Sequence, residues 1–428
     1  MSKLLKLIAL LLLVLLISLV GLGIAALEST PIVITNSGEQ VDQAESVKAL
    51  MGQLSRSSKN RTKKQRINLN QDQLNSLVGF AQRAHPNIRG RVKITANSTN
   101  VLASYTLPAN PVGRYINLDL TLLPGQGLIL SYVKVGSLTI SGDLALSALI
   151  TLANWYTKSD IASHFIRQVE SVAMQPEKMQ ITVLPLGQFL KALNQIKGGV
   201  GGSSDHGMRL RTAYYLKQLS SLEVSNKTTS QSLAKFIGPI FDLAQKRSTA
   251  QTAHIENEAA IMALAIYTGH HRFANLVGDV QPIPGKVVLP SAKPSLKSRV
   301  DLNQHFIFSA AIKILSEQGF SAAIGEFKEL MDRGQGGSGY SFVDLAADFA
   351  GIEFAISATS IQSARELQNV LAGQTSESNF FPSIIDLPED LSKAKFEQTF
   401  KQVDSPEYLK MVQEINRRIA LLPVHRNR

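Results

Sequence analysis

From Leu4 to Leu27 the chain reads LLKLIALLLLVLLISLVGLGIAAL, interrupted only by Lys6. A helix rises ~1.5 Å per residue, so the uncharged run Leu7–Leu27 would extend ~30 Å, the thickness of a bilayer's hydrocarbon core. Lipid offers no partners to free backbone groups, and a helix is the only open-ended structure able to cross it. Lys3 and Lys6 precede the run, while Glu28, Glu39, Asp42 and Glu45 dominate the stretch after it. The positive-inside rule therefore places the N-terminus in the cytoplasm and the chain beyond residue 30 on the other side. The competing reading is a cleaved signal peptide, with Gly23 and Ala25 small enough for a cleavage site, although the run is long for a signal's apolar region. Both readings export the rest. The expectation is a single-pass protein of the bacterial inner membrane with its bulk in the periplasm, and the membrane is its first partner through the N-terminal helix.

A length of 428 residues suggests two or three domains of ~100–200 residues each, and a hydrophobic content of 44% is ample for packed cores. The absence of Cys removes disulfides, thiolate metal sites, cysteine nucleophiles and a lipid-modified cysteine anchor together. An exported chain without disulfides fits a bacterial envelope better than a eukaryotic secretory route. The net charge of +11 points to anionic lipid, lipopolysaccharide or an acidic envelope polymer. Nucleic acid is not expected, since export removes it and no binding motif is present. Arg56, Lys59, Arg61, Lys63, Lys64 and Arg66 crowd together with no acid among them. A solvated linker is the plainer reading of this cluster. Lipid-headgroup binding is the functional one, at roughly 1 kcal/mol per basic residue near an anionic surface.

Texture divides the chain into an anchor at 4–27, a polar and basic stalk at 28–66, an α+β domain at 67–197, a Gly/Ser hinge at 198–206 and a helical domain at 207–428. In residues 70–84, Leu74, Leu77, Val78 and Ala81 share a helical face. Strand character follows at 89–96, 100–107, 114–123 and 128–135, and in YINLDLTLL Ile116, Leu118, Leu120 and Leu122 line one side. Asn97-Ser98, Pro108–Pro111 and Pro124–Gly127 supply the turns, and connections this short favour an antiparallel meander. Helices are expected near 143–157 and 160–173, a strand at 179–184 and a helix around 187–197. In the second domain helices are expected near 207–222, 228–247, 255–268, 302–318, 321–332, 341–357, 360–371 and 405–420. Pro282, Pro284, Pro290 and Pro294 mark a loop across 281–300, and Ala259–Ile266 reads as part of a buried core helix. The expected fold class is α+β: an N-terminal transmembrane helix, a small antiparallel sheet-plus-helix domain, then a mainly α-helical domain.

The LNQDQLNSLV helix, the YINLDLTLL strand and the LILSYVKVGSLTIS strand together resemble the small AsmA-like and YpmS-like envelope proteins, over residues 67–197. That resemblance implies a curled antiparallel sheet presenting a surface to acyl chains or lipid heads, with no catalytic residues to carry over. Farther along, the HF..SAA, GEFKELMD and GGSGYSFVDLAADFAGIEFA segments, with the upstream ENEAAIMALAIYTGHHRFANLVG, are similar to a module of uncharacterised proteobacterial envelope proteins, from Glu256 to Ala355. A shorter echo resembles YfiM-type periplasmic lipoproteins and VanZ-like membrane proteins. The resemblance names relatives and implies no reaction.

The densest chemistry lies in 302–355. His305 and Ser309 are four apart and share a helical face, Glu326, Glu329 and Asp332 step by threes, and Asp344 and Asp348 step by four. The loop Gly334–Gly339 is short enough to fold these helices against each other. Each residue also has a plain reading. Ser341 and Asp344 form a capping pattern before an apolar run, Glu329 pairs with Arg333 on a helix surface, and His305 suits a satisfied histidine near a helix start. The sharper hypothesis makes His305, Glu329 and Asp348 catalytic, with Glu329 and Asp348 as an acid/base pair, or gathers Glu326 and Asp332 with them around a divalent cation, the one cofactor considered. No H-E-x-x-H, phosphate-loop, Ser-His-Asp elbow or dinucleotide fingerprint accompanies them, and the adjacent pair His270–His271 diverges on a helix and is no natural chelate.

Two functions therefore stand. One is a membrane-anchored envelope protein that binds lipid, polymer or another envelope protein without catalysis. The other is an envelope hydrolase or metal-dependent enzyme built on the 302–355 hairpin.

Overall fold

A computed structural model of the chain describes residues 20–35, 37–41, 47, 49–50, 52–53, 62–157, 159–185, 206–283, 285–315 and 339–426. These fall into two compact units, Met1–Asn194 and Gln195–Arg428.

The first unit holds β1 (Leu27–Glu28), α1 (Ser37–Val41), β2 (Gln65–Asn70), α2 (Gln71–Ala84), β3 (Ile88–Ile94), β4 (Thr99–Thr106), β5 (Tyr115–Leu123), β6 (Gly125–Gln126), β7 (Ile129–Val135) and β8 (Leu138–Ser141). It continues through α3 (Gly142–Thr157), α4 (Ile161–Gln168), β9 (Val169–Gln175) and β10 (Lys178–Val183). One antiparallel sheet runs β3-β4-β5-β7-β8, with β1 joined to β5, and a second runs β2-β10-β9-β6. The chain passes between them at Pro124, where β5 ends and β6 pairs Gly125 with Val172. The alternating apolar residues meet inside, where Val92, Ile94, Leu122, Leu130, Val133, Val172 and Met179 form the buried centre and Leu118 and Leu120 pack against it.

Side-chain amides finish what the strands leave open. Asn70 caps α2 reciprocally: its Oδ1 accepts from Gln73 N at 2.7 Å, and Gln73 Oε1 accepts from Asn70 N at 3.0 Å. β3 is an edge strand, and α2 closes it. Asn75 Nδ2 donates to Val92 O at 2.9 Å while its Oδ1 accepts from Val92 N at 2.8 Å, and Gln71 Oε1 takes Ile94 N at 2.9 Å. Gln40 Nε2 reaches Gly90 O at 2.8 Å. On the face of the first sheet opposite the core, Asn117 Oδ1 accepts from Ser104 Oγ at 2.7 Å and from Ile32 N at 3.2 Å, and its Nδ2 donates to Thr30 O and Glu28. Residues 28–33 are laid across that face, and Val33, Val41, Val47 and Leu50 are buried.

The expected transmembrane helix is corrected here. Residues 20–25 are helical, but the apolar run then changes structure: Leu27 pairs with Ile116 as β1, and Ala25 O accepts from Ser137 N at 2.9 Å. Among the described residues no helix is long and apolar enough to cross a membrane, and residues 1–19 lie outside them. A continuous apolar run has no period, so it does not distinguish helix from strand, and here its last residues are spent on a sheet. A second difference concerns 160–173, where the helix stops at Gln168 and Val169–Gln175 pairs with β10 as a hairpin.

The second unit is mainly helical, with α5 (His206–Ser221), α6 (Ala234–Arg247), α7 (Ala253–Leu264), the one-turn α8 (Ala274–Val277), α9 (Val300–Leu315), α10 (Phe342–Thr359), α11 (Ala364–Leu371), α12 (Lys393–Phe400) and α13 (Pro406–Ala420). From Ala259 onward α7 is apolar on every side, and Ala259 through Ile266 have no solvent exposure. It continues into a π-helical turn at Ala265–Gly269. α9 and α10 pack closely because Gly351 faces the backbone of Phe306, which leaves no room for a Cβ. Asn257 donates from Nδ2 to Ala358 O and Ala364 O, and its Oδ1 accepts from Gln368 Nε2 at 2.8 Å, so a neutral polar network ties α7, α10 and α11 together.

Candidate functional site

The α9–α10 contact brings together two of the residues singled out as catalytic. His305 Nδ1 lies 3.1 and 3.2 Å from the two Asp348 oxygens, and Ser309 Oγ donates to Asp348 Oδ1 at 2.7 Å. The Asp348 and His305 side chains are only 5% and 11% exposed. On the other ring nitrogen, Nε2 faces Asp344 Oδ2 at 3.5 Å. Asp344 is reached in turn by Arg299, which also pairs with Asp301 and Glu389, both at 2.6 Å. The hydrogen bond to Asp301 raises the Arg299 pKa, and the same bond lowers that of Asp301. The result is a polar chain from surface to interior: Glu389, Arg299, Asp344, His305, Asp348, Ser309.

Its order decides its chemistry. In a nucleophilic triad the carboxylate orients one ring nitrogen and the other takes the proton of the attacking hydroxyl. Here Ser309 sits on the carboxylate side, and Nε2 meets a second carboxylate. The arrangement clamps α9 to α10, with a carboxylate facing each ring nitrogen of His305. Ser341 caps α10, its Oγ accepting from Asp344 N at 3.0 Å, which leaves the Asp344 carboxylate directed at Arg299 and His305.

Glu326, Glu329 and Asp332 lie outside the described residues, as does most of the Gly334–Gly339 loop. Among the described residues no group of three or more His, Asp or Glu is placed to hold a metal ion. His270 and His271 stack ring on ring at 4.6 Å. Of the basic cluster, Arg56, Lys59 and Arg61 also fall outside the described residues. Lys63 and Arg66 are exposed, and Lys64 is ion-paired with Glu170.

A different surface emerges in the first unit. Gly142 opens α3 directly against the Leu130 carbonyl of β7, an approach that a Cβ would block. That contact seats Ala145 and Leu146 on the core and turns the opposite side outward. Leu144, Leu149, Leu152 and Trp155 are 63%, 51%, 60% and 75% exposed. Their spacing puts Leu144, Leu152 and Trp155 on one stripe, with Leu149 beside it. Asn154 fastens the next helix: its Oδ1 accepts from Ala162 N at 2.9 Å and its Nδ2 donates to Ser163 Oγ at 2.8 Å. α4 then adds Phe165, 56% exposed, beside Arg167. A large apolar side chain releases ~1.5–3 kcal/mol when fully buried, so covering the exposed part of these five, about three side chains' worth, would yield roughly 5–9 kcal/mol. The sequence carried a signal for this face: GDLALSALITLANWYT is apolar nearly all round, and a single sheet covers only one side of a helix.

No family model matches the chain, and no curated protein or solved structure matches it either.

Proposed function

We propose that this chain is a lipid-binding protein of the bacterial envelope, whose first unit seats on a lipid surface through the apolar face of α3 and α4 and performs no catalysis. The observation that carries the reading is the exposed stripe of Leu144, Leu152 and Trp155, with Leu149 beside it and Phe165 exposed on the next helix. A tryptophan among leucines on an outward helix face is the composition that partitions at the headgroup level. Charge agrees. Over residues 1–194, Lys and Arg number 19 against 10 Asp and Glu, a net +9 of the chain's +11, which favours approach to an anionic surface. Val20, Leu22 and Ile24 are also more than half exposed, and they lead into β1 of the same unit. The hydrolase reading draws only on the His305–Asp348 contact, where Nε2 faces Asp344 rather than a hydroxyl, so binding is the reading adopted.

Trp155 is the chain's only tryptophan, so its emission reports this face alone. With vesicles containing phosphatidylglycerol, the full chain should shift its emission to the blue and be quenched by brominated acyl chains. The double substitution Leu144→Asp and Leu152→Asp should abolish both changes. Emission indifferent to vesicles, or equal quenching of the double variant, would overturn the proposal.

A further inference from the structure

The second sheet of the first unit carries a cavity of about 480 Å3, within the range of small-molecule sites. It is bounded by β2, β9 and β10, by Gln73 of α2 and by Ala49, Leu50 and Gln53. Strand register explains its chemistry. Asn68, Gln180 and Ala173 are direct cross-strand neighbours, and so are Asn70, Lys178 and Gln175. Residues two apart on a strand share a face, so these six form a two-by-three array in which only Ala173 lacks a polar group. Six carboxamides line the cavity in all, with Lys178 as the sole charged side chain among its lining residues.

A bare polar sheet face would be ordinary solvated surface. Two features set this one apart. Ala49, Leu50 and Gln53 raise a wall over it, with Leu50 only 5% exposed. The amides are also pre-oriented: Gln180 Nε2 donates to Asn68 Oδ1 at 2.8 Å, and Asn70 Oδ1 is held by Gln73 N at 2.7 Å. These bonds leave Asn68 Nδ2, Asn70 Nδ2 and Lys178 Nζ as donors, Gln180 Oε1 as an acceptor, and both ends of Gln175. Donors outnumber acceptors and no acid is among the described lining residues, which selects an acceptor-rich ligand with a negative charge.

We infer that the amide-lined cavity over β2, β10 and β9 binds an acidic carbohydrate, its ring hydroxyls on the carboxamides and its oxyanion on Lys178. The shared chemistry is an oxyanion on a hydroxyl-bearing ring, carboxylate or phosphate. The site is separate from the apolar helices and does not depend on them.

The test titrates the full chain with digalacturonate, glucose 6-phosphate and neutral maltose, followed by calorimetry and by the side-chain amide resonances of Asn and Gln. At least one acid should bind saturably at one site, tenfold or more tighter than maltose; tighter digalacturonate identifies a uronate glycan, and tighter glucose 6-phosphate a phosphosugar. Lys178→Ala should weaken that binding at least tenfold and Gln175→Ala several-fold, with melting temperatures unchanged because both side chains are exposed. Absence of saturable binding by either acid, equal affinity for maltose, or wild-type affinity in Lys178→Ala would overturn the inference.

Discussion

The two units bury different kinds of polar group. Among the described residues of the first, the buried polar side chains are Gln73, Ser76, Gln82, Thr99, Ser104, Asn117 and Thr121, all neutral. In the second, Glu256, Asp348 and His425 are buried as well. Neutral amides and hydroxyls finish strand edges and caps at no charge cost, and none of these buried side chains titrates. The second holds titratable groups in low dielectric, where each depends on its partners. Glu256 meets Arg247 at 3.2 Å and Tyr215, and burial together with the hydrogen bond to Glu256 raises the Tyr215 pKa. The lesson is one of vulnerability: acid should attack the helical unit first. Trp155 emission follows the first unit, while far-ultraviolet ellipticity is dominated by the helices of the second, so the contrast is measurable.

The hardest blow to it is Asp348→Ala, which strips His305 and Ser309 of their shared acceptor. Leaving a buried donor without its acceptor costs about 1–3 kcal/mol, and two donors share Asp348, so the ellipticity midpoint in urea should fall sharply while the Trp155 transition stays in place. Movement of both curves together would break the contrast. Next is pH. Burial pushes the His425 imidazole down to about 4, against about 6.5 when unfolded. The unfolded chain therefore binds the proton first, and stability held above pH 6.5 is lost as pH falls towards 4, by about 2 kcal/mol at pH 5. His425→Gln should flatten that slope in the ellipticity curve, and Trp155 should show no such slope. Third, Asn117→Ala leaves the Ser104 hydroxyl without its acceptor and the Thr30 carbonyl without its Asn117 donor, at about 1–3 kcal/mol, and only the Trp155 transition should shift. Smallest is Leu152→Ser, an exposed change worth within ~0.5 kcal/mol of stability that should nevertheless reduce quenching by brominated lipid.

Alternation and turn residues carried most of the first sheet. The stretch read as 114–123 is β5 at Tyr115–Leu123, and 128–135 is β7 at Ile129–Val135. Val169–Gln175 escaped because VESVAMQ follows a helical window without a break; the clue was Pro176-Glu177, a turn between two runs that can pair. Glu177 adopts a φ of 60° there. α12 went unseen because KAKFEQTF is short and its core contribution rests on Phe396 and Phe400. For the candidate site, spacing by four placed His305 with Ser309 and Asp344 with Asp348 on their own helices. It held nothing about the register between those helices, and that register sets Nε2 against Asp344. α3 was legible as a helix with more apolar positions than one sheet can cover, but which of them face outward was not, because that depends on what else packs there.

Asn75 guards β3 by imitating a neighbouring strand, giving Val92 both a proton donor and an acceptor. Proteins more often keep such borders from propagating with lysine or proline. A neutral imitation has a particular weakness, which is ageing. Deamidation would exchange the donor for a carboxylate oxygen facing the Val92 carbonyl, and repulsion would lift the helix away. The bared ladder would then offer a template for stacking onto a second copy, so a chemical change of one atom would register as slow self-association.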